Sequence, residues 1–497
     1  MVRNAGTSAK LERAPKDVRR TFATKLFYGI GSIAYGVKDN GFSVLLLLYY
    51  NQVLGLNAGL AGLAIMIALV VDAFVDPLIG YLSDHMRSRF GRRHPFMYAA
   101  AIPVAVSYLF LFSPPAGLSQ QALFTYLLVV AVIVRCCIAC YEIPSSALVA
   151  ELSDSYDQRT NYLSFRFFFG WVGGLTMSIL AYAVFLKPTK AFPIGQLNPA
   201  GYAGYGVAAA LIMFLAIVIS SLGTHRAIPF LRKPAERAPG SGGRIASMLR
   251  AINSRSALAA LGAGMLIALA TGLNFALSPY FMTYFWGLRA DQMSMLVAGN
   301  FVAALLALLF TPLVSRLLDK RSASIIVALT LLVLIPLTFG LRYLGLMPPN
   351  GSTALVTTLF FFGIVTAALS IMWGILLSSM LADVVEDTEV RTGQRSEGVF
   401  FAANMFLAKC VSGLGIFFSS AILALVRFPA QAKPGSIGSD ILWGLTGIYL
   451  SATLILLASA TCCILMYRIT RTSHLQNLEI LAGRQVEAGQ PQPGGAT

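Results

Sequence analysis

Long apolar runs, broken at intervals by short polar clusters, set the pattern of this chain. About 20 consecutive apolar residues suffice to cross a bilayer as a helix. Runs bounded by charge or by Pro and Gly clusters predict twelve such spans. They cover residues 26–54, 57–83, 95–113, 121–150, 162–187 and 201–222, then 256–286, 290–318, 322–346, 353–382, 398–428 and 441–469. The expected fold class is an all-α membrane protein embedded in a lipid bilayer. Residues 1–25 read as a polar tail, and 223–255 as a basic linker between a bundle at 26–222 and a second at 256–471. Residues 472–497, rich in Gly, Gln and Pro, read as a disordered tail.

Composition supports this reading: of 497 residues, 57% are hydrophobic and only 12% charged, about half the charged share of a soluble domain. A net charge of +16 would ordinarily raise a nucleic-acid partner. Here the charge is dealt out among loops, so none is expected. The loop after span two holds Arg87, Arg89, Arg92 and Arg93, and the linker holds Arg226, Arg232, Lys233, Arg237, Arg244, Arg250 and Arg255. The loops at 51–58 and 114–121 carry neither Lys nor Arg. The positive-inside rule then places both termini in the cytoplasm of a multi-pass protein of the bacterial inner membrane. The first 25 residues lack an apolar core, so no cleavable signal peptide is visible. Six cysteines lie within spans, and the Cys137–Cys140 pair lacks the further ligands that zinc needs. They read as packing residues.

The two halves repeat each other. Pro77-LIGYLSD-His85 ends span two, and Pro312-LVSRLLD-Lys320 ends span eight. After span four comes Ala150-ELSDSYDQRT-Asn161, and after span ten Ala382-DVVEDTEVRT-Gly393. The first pair is offset by 235 residues and the second by 232. A duplicated six-helix unit is the arrangement of alternating-access transporters, whose halves rock about a midplane site. The repeated acids and bases at span ends could lock the halves by ion pairs.

The repeat also filters the charges inside the membrane. Asp72 corresponds to Ala307, Asp76 to Thr311, Glu142 to Gly374 and Lys409 to Met177. The duplicated scaffold does not need these charges. Four groups of ionisable residues stand out within spans: Lys38-Asp39, Asp72 with Asp76, Glu142, and Lys409, with Arg166 one turn into span five. Asp72 and Asp76 point to one side of a helix, and a charge at the bilayer centre costs on the order of 3 kcal/mol or more. Three carboxylates converging between spans two and four would hold Na⁺ or a proton, or pair with Lys409. Pro77 and Pro144 free backbone carbonyls beside them. Tyr49, Tyr50, Tyr141, Trp171 and Trp373 supply rings on which a sugar face could stack.

Read together, these elements resemble the glycoside–pentoside–hexuronide:cation symporters of the major facilitator superfamily, the melibiose permease family. The similar elements are Lys38-Asp39, Asp72-AFV-Asp76-Pro77, the loop from Arg87 to Pro95, Glu142-Ile143-Pro144, Arg166-Phe167-Phe168, the acidic run from Asp383 to Arg395 with Glu397, and Lys409. The resemblance implies the major facilitator fold, twelve helices in two six-helix bundles, with a cation site at Asp72, Asp76 and Glu142. It implies a sugar site in which Asp39 and Arg166 bind hydroxyls, with Lys38, Lys409, Tyr141 and Trp373 as further substrate-site candidates. It casts Asp84, Arg159, Asp383, Glu386, Glu389, Arg391, Arg395 and Glu397 as a cytoplasmic gate. Three departures matter. Sodium-coupled members carry Asn where Val75 stands and Thr where Ala139 stands, both neutral oxygen ligands for a hard cation. The acid of span four is Glu142 rather than Asp, and Ser145 and Ser146 replace an aromatic after Ile143-Pro144. The first two favour H⁺ over Na⁺ as coupling ion, with Na⁺ at Asp72 and Asp76 as the alternative; the third weakens the case for a melibiose-type galactoside.

The expected activity is symport of a glycoside or related sugar by a monomer with no cofactor. A lysolipid or other amphiphile is the alternative substrate. A polytopic enzyme or sensor is the remote reading: His85, His94, His225 and His474 all fall at expected loops or tails, where they assemble no catalytic set.

Overall fold

The computed structural model describes residues 21–153, 156–230, 254–392, 397–433 and 435–470, with 472–473, 476–477 and 479–480 beyond them. Among the described residues, eleven helices are long and apolar enough to cross a membrane. Helix one makes the twelfth, as a string of short pieces over 22–53. The others are helix two Ala58–His85, three His94–Leu111, four Gln120–Leu152, five Tyr156–Leu180, six Pro199–His225, seven Arg255–Tyr280, eight Ala290–Leu317, nine Lys320–Tyr343, ten Thr353–Thr392, eleven Glu397–Leu425 and twelve Ser439–Leu465. Local chemistry sets several starts. Asn57, Ser119, Asn198 and Ser254 each accept a backbone N–H of the first turn through the side chain, satisfying donors that have no partner inside the helix.

Helix ten runs ten residues past the expected end at 382, so the acidic run Asp383 to Glu389 is helical rather than a loop. No Gly or Pro interrupts 383–392, so the helix continues to Thr392, the residue before Gly393, and the hydropathy drop at Asp383 marks an interface rather than a helix end. Helix one is interrupted by a π-turn at Gly41–Leu45 directly after Lys38, Asp39 and Asn40, an irregularity common at functional sites. It ends in a second π-turn, Tyr49–Val53, and helix seven ends in the same way at Phe281–Phe285. Both then turn on a glycine with positive φ, Gly55 at 82° and Gly287 at 61°, a conformation that a Cβ would strain. The two caps lie 232 residues apart, in register with the sequence repeat.

Helix pairing repeats too. Helix one packs on five and six, four on two and three, and three on six; seven packs on eleven and twelve, ten on eight and nine, and nine on twelve. Across the halves, two meets eleven, five meets eight, and one meets seven. Small residues permit the tightest of these approaches: a Cβ on Gly36 of helix one would lie 2.0 Å from the Gly170 carbonyl oxygen of helix five. Exposed Leu305, Leu308, Leu309 and Leu313 give helix eight an outer apolar face, as a lipid-facing surface requires.

Candidate functional site

Helix two carries Asp72 and Asp76 on one face, and helix eleven of the other half crosses it there. Lys409 Nζ lies 2.5 Å from Asp76 Oδ2 and 3.3 Å from Asp72 Oδ2. The crossing is close because Gly62 has no side chain; a Cβ there would sit 1.9 Å from Ser420 Oγ. Asp72 is 1% exposed, so it needs a cation held beside it.

A second cation reaches Asp72 from helix four. Arg135 precedes Glu142 by two helical turns, and its guanidinium lies 3.4 Å from Asp72 Oδ2 and 3.6 Å from Asp39 Oδ1. Its Cζ sits 4.2 Å above the Phe42 ring. From helix one, Lys38 Nζ approaches Asp39 Oδ1 at 2.8 Å and Glu142 Oε2 at 3.2 Å. The contacts form one unbroken sequence of alternating charge: Glu142, Lys38, Asp39, Arg135, Asp72, Lys409, Asp76. Helices one, two, four and eleven all contribute. Along the row itself four carboxylates face three cations, and Arg166 adds a fourth positive charge that faces Glu142 at longer range. Removing Lys38 would leave Glu142, and removing Lys409 would leave Asp76, without its ion-pair partner.

Asp39, 56% exposed, is the open point of this row. Of the other candidate substrate residues, Lys38 and Lys409 belong to the row and three stand apart. Arg166 lies with its Cζ 4.7 Å over the Tyr35 ring and forms no ion pair among the described residues. Tyr141 is buried, its hydroxyl filling the space left by Gly31. Trp373 lies fully buried in the core of the second half, its indole N–H without an acceptor among the described residues.

A family model described as MFS/sugar transport protein matches residues 27–471. The chain belongs to this family. It is similar to an uncharacterised symporter of Synechocystis, with 27% identity over 93% of this chain and 97% of the relative. An isoprimeverose transporter of Lactiplantibacillus pentosus is 23% identical over 79% of this chain and 78% of its own length. A sodium-dependent lysophosphatidylcholine symporter of Gallus gallus is 25% identical over 83% and 80%. Among solved structures, an inward open conformation of the xylose transporter XylE from E. coli superposes with a TM-score of 0.59 at 17% identity. That match covers 93% of this chain and 99% of the other, and it shows a shared fold.

This member of the MFS/sugar transport protein family is therefore a multi-pass membrane transporter of the major facilitator fold, not an enzyme. Its candidate gate residues divide by half. Asp84 pairs with Arg93, whose Nη1 also donates to Ser83 Oγ at 2.6 Å. Arg92 and Arg93 share Glu151 Oε1 at 2.8 and 3.1 Å. In the second half Lys320 Nζ donates to both oxygens of Asp383 at 2.7 and 2.9 Å. Tyr467 donates to Asp383 Oδ2 at 3.4 Å, and burial together with that carboxylate holds the phenol well above its usual pKa. Arg391 pairs with Asp387 one turn away at 3.8 Å. Glu386 and Glu389 are half-buried on helix ten, and Arg159 is exposed. Each of these ion pairs stays within one half. Arg395 and the side chain of Glu397 lie outside the described residues.

Two sequence expectations change. Arg135 is not among the ionisable groups that stand out in the sequence, although a lone base inside the apolar run of span four, two turns from Glu142, is a usable signal. His85, His94 and His225 occupy helix ends rather than loops. His94 is buried, with Nε2 3.1 Å from Thr224 Oγ1, and Tyr98 Oη lies 2.9 Å from His225 Nδ1. His474 lies outside the described residues.

Proposed function

We propose that this protein is a cation-coupled symporter, driven by H⁺ in preference to Na⁺, that carries a glycoside or related sugar across the bacterial inner membrane as a monomer with both termini cytoplasmic. The observation that carries this reading is the row of alternating charge tied across the two halves through Lys409. A proton bound by Asp76 removes the negative charge that holds Lys409, so a loaded row ties the halves less tightly than an empty one. Cation loading and rearrangement of the halves are thereby linked. Asp39, exposed beside the row, is the acceptor for sugar hydroxyls, so substrate and proton act on one network. The row would be opened and closed by relative motion of helices two and eleven, with Asp84, Arg159, Asp383, Glu386, Glu389, Arg391, Arg395 and Glu397 as gate residues in the opposite state. Val75 and Ala139 offer no side-chain oxygen near the acids, which favours the proton.

Isoprimeverose is a natural first probe, because a relative over most of the chain is named for it. A second reading, a lysolipid symporter, is favoured by the resemblance to the chicken lysophosphatidylcholine symporter. Reconstituted vesicles loaded under separately imposed H⁺ and Na⁺ gradients distinguish them, with isoprimeverose, melibiose and lysophosphatidylcholine as probes. H⁺-driven accumulation of a sugar supports the proposal. Accumulation of the lysolipid alone moves the assignment to the second reading, and sugar uptake driven by Na⁺ alone removes the proton.

A further inference from the structure

Arg135 is the least expected member of the charge row, and its placement constrains which ion the row can accept. Its side chain is 4% exposed. One nitrogen, Nη1, spans the gap between Asp39 and Asp72, the Phe42 ring covers the guanidinium plane, and Nε has no acceptor among the described residues. A guanidinium carries its charge at every physiological pH and is weakly hydrated, so it tolerates such a site better than an ammonium does. Asp72 Oδ2 therefore already meets two fixed cations, Arg135 and Lys409. A hard metal cation needs several oxygen ligands close around it. It would have to share this oxygen with both positive charges, and Val75 and Ala139 bring no side-chain oxygen to help.

We propose that Arg135 sets ion selectivity: tethered between Asp39 and Asp72, it stands where a transported metal cation would bind and excludes Na⁺ from the acid row. The inference deepens the proton-coupled reading and rests on it for the identity of the ion that remains. Asp72 then serves as a permanently paired anchor. Arg135 positions it and links it to the exposed Asp39, while Asp76 with Lys409 is the pair that stays open to a mobile ion.

The test reads ion binding rather than transport, so it is separable from the function proposed above. Purified full-length protein is assayed for saturable binding of radioactive sodium, with choline chloride as the ionic-strength control. Wild type is expected to bind none at millimolar sodium. Arg135→Gln removes the fixed charge while keeping a polar side chain, and should raise sodium affinity on the order of a hundredfold, given the repulsion removed at this range. Adding Asp72→Asn to that variant should abolish the gain. Arg135→Lys, which keeps a cation, should bind no more sodium than wild type, so that the gain in Arg135→Gln follows the loss of charge rather than the change of side chain. Arg135→Thr is read in the same way should the glutamine variant not fold. Saturable sodium binding by wild type that disappears in Asp72→Asn would overturn the proposal. So would a folded Arg135→Gln or Arg135→Thr protein that binds no more sodium than wild type.

Discussion

Lys409 touches two carboxylates of the opposite half, so replacing it unbalances more than one pair. Deleting one partner of a buried ion pair costs ~3–5 kcal/mol, and the 26% exposure of Lys409 reduces that toward the lower end. Lys409→Met should lower the melting temperature in detergent by several degrees and abolish gradient-driven accumulation, while Lys409→Arg keeps the fold. Asp76→Asn should separate coupling from movement: accumulation against a gradient is lost, but exchange of labelled for unlabelled substrate persists, because the neutral amide mimics the loaded acid. Unimpaired accumulation by Asp76→Asn would remove this residue from the coupling site. Asp72, Asp76, Glu142 and Lys409 were legible in the sequence because charge in an apolar run is conspicuous and because the repeat shows the scaffold does without it. The order in which they pair was not legible. Arg135 joins residues 96 and 63 positions away, and which cation faces which acid is decided by helix crossings that no local pattern encodes. Trp373 shows the converse: an intramembrane aromatic that read as a stacking platform is a core residue of the second half.

Helices were the most readable scale, since hydropathy dictates where a chain can cross a membrane and caps such as Asn57 and Ser119 fix where it starts. Their irregularities were not readable. The π-turns of helices one and seven depend on packing, and the acidic extension of helix ten depends on the helix continuing beyond the apolar layer. Helix contacts give a sharp prediction. A Cβ at Gly36 meets a backbone carbonyl of helix five, which cannot swing aside as a side chain would. Gly36→Val should therefore separate helices one and five and destabilise by ~1–3 kcal/mol or more, displacing Lys38 and Asp39 from the charge row. Gly363→Ala on helix ten meets nothing within 4 Å. It should be neutral or stabilising by up to ~1 kcal/mol, since alanine is the better helix former. Thermal melts of the two variants side by side check both; a Gly36→Val protein as stable as wild type would show that the crossing has slack.

At the scale of the molecule, the hydrogen bonds described between the halves run through Lys409 or lie at one end, away from where helix one starts and helix twelve finishes. There Gln52 donates to the Pro429 carbonyl at 3.1 Å and accepts from Tyr284 Oη at 2.8 Å and from the Ala432 amide at 3.1 Å. Tyr280 donates to Asn51 Oδ1 at 2.9 Å, and Gln196 to the Leu288 carbonyl at 2.9 Å. This seal is made of neutral groups, each bond contributing about 0.5–1.5 kcal/mol. It is thus suited to opening and closing without the desolvation cost of ion pairs. Gln52→Ala removes three of the cross-half bonds at once, about 2–4 kcal/mol against the sealed state, which is a population shift of tenfold or more. Gln121 and Leu346 are exposed near this end on opposite halves. Spin labels there, in a protein with its six cysteines replaced, should report a longer distance population in Gln52→Ala than in the parent. An unchanged distance distribution would mean that apolar packing, not Gln52, holds this end closed. Because the same two halves meet at Lys409, the variant that opens the seal should also loosen the grip of Lys409 on Asp76. Its accumulation ratio should then fall even though no residue of the charge row has been altered.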